Sequence, residues 1–264
     1  MFSPNFFKKS TLTAVLLSCL ALAAAPAFAG PDPGGGYACG PKTEKLTFRL
    51  QWGIVPVGRA VLESGTAHSA GDNLCRLVMT ARSNAFVDLF FKVRDRIESL
   101  MDSTAGRSVW YFKDIREGKR ERNFEVQFNW DRGLAERVEK GLLLPPVATP
   151  ENTLDPLSFF YLLRGRTLHE NTTLQAWVTD GKRLTLGRIK VLGKEKIRAP
   201  LGKFETLRVE VELKNMDGVF RTGKKGKFVI WAAPGYGNMP VKIQCALAVG
   251  PFTGTMTAVL AARD

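Results

Sequence analysis

The sequence predicts a mainly β fold: a large antiparallel, strongly curved sheet or incomplete barrel, with one buried helix and one short aromatic helix or lid. Three observations predict it. Most of the chain beyond residue 43 alternates apolar and polar side chains with period two, the pattern of strands with one buried face. No strand is followed regularly by a helix, which argues against a doubly wound parallel sheet. One stretch carries a full set of helix start and stop signals. So many apolar faces must close over each other, and a curved sheet or barrel does this while limiting exposed edges.

In chain order, Lys8 and Lys9 precede an apolar stretch, residues 12–25, shorter than the roughly 20 residues of a membrane span. Ala27-Phe28-Ala29 presents small residues where a signal peptidase reads them, so residues 1–29 are expected to be a signal peptide cleaved after Ala29, with a periplasmic product. A lipoprotein cut at Cys19, after Leu16-Leu17-Ser18, is the weaker reading because the apolar run continues past it. Residues 30–42 form a Pro/Gly-rich arm expected to be flexible, and residues 43–262 are read as one domain.

Leu46, Phe48 and Leu50 alternate with polar residues, turn at Gly53 and return through residues 60–62, a hairpin. After a run over residues 74–81, Asn84-Ala85-Phe86-Val87-Asp88-Leu89-Phe90-Phe91 spaces its apolar residues by three and four. It reads as a short amphipathic helix or aromatic lid, with Asn84 as N-cap. Val93, Asp95, Ile97, Ser99 and Met101 share one strand face, while Arg94, Arg96 and Glu98 take the other. Residues 109–115 follow as a strand. Phe124, Val126, Phe128 and Trp130 then point one way. Asp180-Gly181 marks a tight turn between strands at residues 174–178 and 184–191. Leu207, Val209, Val211 and Leu213 alternate; so do Val241, Ile243, Cys245, Leu247 and Val249, and then Phe252, Met256, Ala258 and Leu260. About twelve strands result.

The helix begins at Asp155, a capping residue, followed by Pro156 at the first position, where no amide hydrogen is needed. It is expected to run to Arg164 and stop at Gly165. It is apolar almost all round, so it must be buried, across the concave face or the mouth of the sheet. The stretch before it, residues 142–150, reads as a crossover within the domain.

The chain has 264 residues, 45% of them hydrophobic and 24% charged, ordinary globular values that exclude disorder and fibrous repeats. The net charge of +13 falls to +11 on loss of Lys8 and Lys9. In an exported protein that excess reads first as a scattered, solvated positive surface, with anionic lipid headgroups or a membrane surface as the functional alternative, and no nucleic acid is expected. Its densest cluster is Arg221, Lys224, Lys225 and Lys227. Three cysteines survive cleavage, Cys39, Cys75 and Cys245, so at most one internal bridge forms; a Cys39–Cys75 pair would staple the arm to the body. No Cys/His spacing suits zinc, and no metal or cofactor is expected. His68 and His169 read as surface residues.

Leu50-Gln51-Trp52-Gly53-Ile54 with Gly58, Val93-Arg94-Asp95-Arg96-Ile97-Glu98-Ser99, and Asp155-Pro156-Leu157-Ser158 resemble the exported proteobacterial family named domain of unknown function 3108. So do Pro200-Leu201-Gly202-Lys203-Phe204-Glu205-Thr206, Ile230-Trp231 and Met239-Pro240-Val241-Lys242-Ile243. The resemblance covers about residues 43–262. It implies an envelope β protein with a likeness to the incomplete barrels of periplasmic lipoprotein carriers, and it supplies no catalytic residues. The family usually carries an acid after the position of Trp231; Ala232-Ala233-Pro234-Gly235-Tyr236 departs from that.

Three functional readings follow. The first is a non-enzymatic binding or carrier protein for a hydrophobic or amphipathic envelope ligand, such as a lipid, with Phe86, Phe90, Phe91, Phe124, Phe128, Trp130, Phe160 and Trp231 as candidate lining. The second is an envelope structural or assembly factor acting through protein partners the sequence does not identify. The third, a hydrolytic enzyme, is weakest: the two histidines are isolated and there is no GxSxG motif. Asp95 and Glu98, flanked by Arg94 and Arg96, read as members of cross-strand ion pairs.

Overall fold

The computed structural model describes residues 43–69, 72–164, 166–213, 228–247 and 250–261. Residues 1–29, the arm with Cys39, and the 221–227 basic cluster lie outside these. The first half is an antiparallel meander: β1 (Thr43–Trp52), β2 (Val55–Ser69), β3 (Asp72–Ser83), β4 (Arg94–Asp102), β5 (Arg107–Glu117), β6 (Arg120–Asn129) and β7 (Leu134–Glu139), with helix α1 (Ala85–Asp88) between β3 and β4. Two short strands, β8 (Leu142–Leu143) and β9 (Val147–Ala148), fold back on β7. After helix α2 (Pro156–Tyr161) a second meander follows: β10 (Thr173–Thr179), β11 (Leu184–Ala199), β12 (Gly202–Glu212), β13 (Phe228–Ala233), β14 (Met239–Leu247) and β15 (Gly250–Ala261).

β15 pairs antiparallel with β1, so the meanders fuse into one 15-stranded sheet, in the order β10 through β15, then β1 through β8. The sheet is curved and open, with edges at β10 and β8. Those edges approach each other. Leu154, just before α2, makes a parallel bridge to Val178 of β10, and Arg137 of β7 donates Nη1–H to the Asp180 carbonyl in the β10–β11 turn at 2.9 Å.

Each strand buries alternate residues, as the period-two pattern requires. The largest core cluster gathers Ile97, Tyr111, Val126 and Phe128 from the first meander, Phe159 and Leu162 from the helix segment, and Ile189, Val209 and Ile230 from the second. A second cluster joins Leu46 and Phe48 of β1 to Val229 and Trp231 of β13 and Met256 of β15. Because Ile230 and Trp231 fall in different clusters, β13 is buried on both faces.

The helix signals read correctly at the N-terminus: Asp155 caps α2 and Pro156 is its first residue. The helix is shorter than expected. It ends at Tyr161, and Leu162 N–H bonds to Phe159 O, the i to i−3 pattern of a tightened last turn. Asn84 likewise caps α1 by accepting from Val87 N–H. The described residues form fifteen strands where periodicity suggested about twelve, and two of the additional ones, β8 and β9, are too short to alternate. Ala258 and Leu260 do not share the inward face of Met256. The β15–β1 register shifts between Thr47 and Phe48, and the bulge turns Leu260 outward to 71% exposure while Met256 is fully buried. Cys75 is disulfide-bonded, to a partner outside the described residues, and Cys245 carries a free thiol.

Candidate functional site: a polar network on the inner face

Register stacks the inward residues in rows. Leu62, Met79, Ile97, Lys113, Phe124 and Glu139 form one; Ser64, Leu77, Ser99, Tyr111, Val126 and Arg137 form the next. The second row carries polar groups into the interior, where each must find a partner or cost stability.

Asp155 supplies most of the partners. Fully buried, it accepts Leu157 N–H at 2.8 Å and Ser158 N–H at 3.0 Å on Oδ1. On Oδ2 it accepts the hydroxyls of Ser99, Ser108 and Ser158, each at 2.6 Å. Burial pushes its carboxyl up, and the serine hydroxyls pull it back down. The cap thus does two jobs: it satisfies the first amides of α2 and pins the helix to β4 and β5. At the other end Tyr161 donates to Ser64 of β2, and Arg164 pairs with Glu44 of β1 at 2.8 Å. Helix α2 is therefore fastened across the concave face.

Arg137 sits beside this network with a fully buried side chain. It pairs with Glu139 at 2.9 Å, contacts Asp180, and lies 3.4 Å from the Phe124 ring centroid, a desolvated cation–π contact. Glu139 is also held by Arg122 at 2.6 Å; the two arginines keep its carboxyl below the usual range, the Arg122 hydrogen bond contributing most. Among the described residues the Tyr111 hydroxyl and Arg137 Nε are buried without a partner, as are Arg164 Nε and Nη1 at the far end of α2. Burial, reinforced by the Asp155 and Asp180 charges, holds the Tyr111 phenol well above its ordinary value, so it remains a hydrogen-bond donor. Towards the β3–β4 end, Asp95 and Lys113 are also buried. Asp95 accepts Arg116 N–H at 3.1 Å, and burial raises its carboxyl to about 6.

Asp95 is thus not the cross-strand ion-pair member the sequence suggested: its side chain enters the interior on the face it shares with Ile97 and Ser99, while Glu98 pairs outside with Arg76 and Arg96, and Arg94 pairs with Asp88. Asp155 has five donors on its two oxygens and is committed to holding structure. Its serines contact no histidine among the described residues, and His169 is exposed. Among the described residues no group of three or more His, Cys, Asp or Glu side chains is placed to hold a metal ion. Among the described residues the arrangement holds no nucleophile–base pair.

Of the eight aromatic candidates, Phe124 and Phe128 are buried in the main cluster, with Trp130 stacked on Phe128 at 5.8 Å and bonded to Ser108 O. Phe160 packs against the same cluster, edge-on to Phe228. Trp231 is buried in the second cluster. Phe86, Phe90 and Phe91 lie outside this network, exposed on one rim, with Phe91 against Gly118. The residues sequence reasoning missed are Tyr111 and Arg137. The available signal was a serine or arginine at an inward position of an otherwise apolar alternation.

A family model described as "Protein of unknown function (DUF3108)" matches residues 47–257, from within β1 to within β15. The chain belongs to this family. The matched span contains both meanders and the β1–β15 pairing, so the DUF3108 unit is the curved sheet itself. Among solved structures, the chain is similar to a beta-barrel-like protein of domain of unknown function DUF1849 from Brucella abortus. That match has a TM-score of 0.55 and 9% identity, and covers 85% of this chain and 100% of the other. It is a likeness of fold. No curated protein matches the chain.

Proposed function

We propose that this DUF3108 protein is a non-enzymatic binding or carrier protein of the cell envelope that holds an amphipathic ligand on the inner face of its sheet. The observation that carries the reading is that two of the buried donors without an acceptor among the described residues, Tyr111 Oη and Arg137 Nε, are set among the apolar side chains of the main cluster. A buried donor left unpaired costs about 1–3 kcal/mol, which an acceptor on a guest recovers. The guest's carboxylate, phosphate or carbonyl would meet Tyr111 and Arg137, and its apolar part would lie along Phe124, Phe128 and Phe160. The signal-like residues 1–29 and the basic balance support an envelope location. The test is mass spectrometry of organic extracts of the purified protein, native and Tyr111→Phe/Arg137→Met. A lipid-class species recovered stoichiometrically from the native protein and depleted in the variant is expected. An empty native protein that also fails to take up fatty-acid or lysophospholipid probes would sink the reading.

A further inference from the structure

Large exposed apolar side chains are concentrated at one end of the sheet. The β1–β2 turn carries Trp52, Ile54 and Val55, exposed by 48, 91 and 45%, and α1 with its C-terminal flank carries Phe86, Leu89 and Phe90, exposed by 64, 77 and 78%. These two elements are fixed together. Asn84 N–H donates to Val57 O at 2.9 Å, and Asn84 Nδ2 donates to Pro56 O at 2.7 Å. The same asparagine caps α1, so one residue ties the helix to the hairpin and its aromatic side chains face solvent.

Next to this tip, on the outer face, register places Arg49 opposite Arg59, Arg59 opposite Arg82, and Arg82 opposite Arg94. At about 4.8 Å per strand the row is about 14 Å long. Lys242 continues it, opposite Thr255, which faces Arg49 across the β15–β1 pair. Like charges directly opposite destabilise a sheet. Asp88 neutralises Arg94 at 2.5 Å, whereas Arg49, Arg59 and Arg82 are exposed and make no ion pair within the described residues. A shallow groove of about 190 Å³ opens beside Arg59 and Arg82, with Lys45, Val61, Glu63 and Thr80. A cation row beside protruding aromatic and aliphatic side chains has the two components of interfacial binding: apolar insertion and attraction to anionic headgroups.

We infer that the β1–β2 tip and α1 insert into the surface of an anionic phospholipid bilayer, while Arg49, Arg59 and Arg82 lie against its phosphates. The surface is on the outer face and rim, separate from the inner-face network around Tyr111 and Arg137, so either idea can fail without the other.

The full chain is mixed with vesicles of phosphatidylcholine containing 30% phosphatidylglycerol, some carrying acyl-brominated lipid, and with pure phosphatidylcholine vesicles. Residues 1–29 contain no tryptophan, so the quenching lost in Trp52→Phe reports the tip. Expected are bromine quenching of Trp52, preference for the anionic vesicles, and loss of that preference at high salt. Arg49→Gln/Arg59→Gln/Arg82→Gln is expected to weaken partitioning on anionic vesicles at least about tenfold. Ile54→Ser/Phe90→Ser is expected to abolish quenching of Trp52. All five positions are exposed, and unchanged circular dichroism and Tm verify that the variants fold. Unquenched Trp52, equal binding to both vesicle types, a triple variant within twofold of the parent, or binding to lipid A aggregates alone would each overturn the inference.

Discussion

At the residue scale, two aspartates of similar burial have opposite circumstances. Asp155 meets five donors and joins a helix to two strands; removing it leaves three buried hydroxyls and two amides to find other partners. Asp155→Ala is expected to cost about 3–5 kcal/mol in urea unfolding. Asp155→Asn is expected to cost about half as much, because the amide oxygen still caps α2 and serine hydroxyls can turn to accept from its nitrogen. Equal costs for the two variants would show that the serine contacts contribute little. Asp95 has one backbone donor and pays mainly desolvation, only partly offset by that hydrogen bond and the Lys113 charge. Its folded carboxyl, at about 6, lies above the ordinary 3.8, so the folded state binds the proton more tightly. The Asp95 contribution is therefore greatest below pH about 4, declines as pH rises towards about 6, and is level above that. Relative to Asp95→Asn, the parent is expected to lose about 1–3 kcal/mol between pH 4 and 7. A parallel pH dependence in both proteins would contradict the assignment.

At the element scale, the seam between β7 and β10 depends on a turn that only glycine fits. Gly181 has φ +76°, and a Cβ there would stand 2.8 Å from Arg137 Cβ and from a Val126 methyl. Gly181→Ala combines left-handed strain with overpacking, so a loss of about 2–4 kcal/mol is expected. Hydrogen exchange should rise first in β7 and β10; a uniform rise across the sheet would argue that the seam has no separate stability. The turn itself was legible, because Asp-Gly between two alternating runs is a local signal, and so were the caps at Asn84 and Asp155. The use of the turn was not. Arg137 closes on Asp180 from 43 residues away in sequence, and an inward arginine in a short strand looks like any solvated one until its partners are known. For the same reason Asp95, flanked by arginines in sequence, read as a cross-strand ion-pair member although the alternation already set it on the inward face. The β15 bulge was equally hidden, since a bulge is defined only against the partner strand. Of the candidate lining, the alternation correctly placed Phe124, Phe128 and Trp130 on the inner face. The helical spacing of Phe86, Phe90 and Phe91 suggested a helix, though only Phe86 of the three lies within α1, and it carried no information on which side of the sheet these rings would face.

At the scale of the whole sheet, the decisive contact is between its most distant strands. β1 and β15 pair over nine residues near the middle of the strand order, from Glu44 with Ala261 to Trp52 with Phe252. The break in the order falls at β8 and β10, on either side of α2. Closing β1 on β15 requires the longest loop in the chain, and non-local pairing of this kind slows folding because the loop entropy is lost before the contacts form. A circular permutant that links Ala261 to Thr43 through a short Gly/Ser bridge and opens the chain at Glu151 keeps every strand pair. It also makes the β15–β1 contact local. Glu151 is exposed, and the adjacent Asn152 already takes a positive φ of 61° in a turn, so new ends there disturb little packing. The permutant is expected to refold at least several-fold faster than the parent. Compared with a linear chain of residues 43–261, which equally lacks the Cys75 disulfide partner, its stability should fall by no more than about 1–2 kcal/mol, since α2 remains fastened by Asp155, Tyr161 and Arg164. Stopped-flow refolding checks this. An unchanged rate would mean that β1–β15 pairing forms after the rate-limiting step, and that the slow event lies instead in closing α2 and the β7–β10 seam.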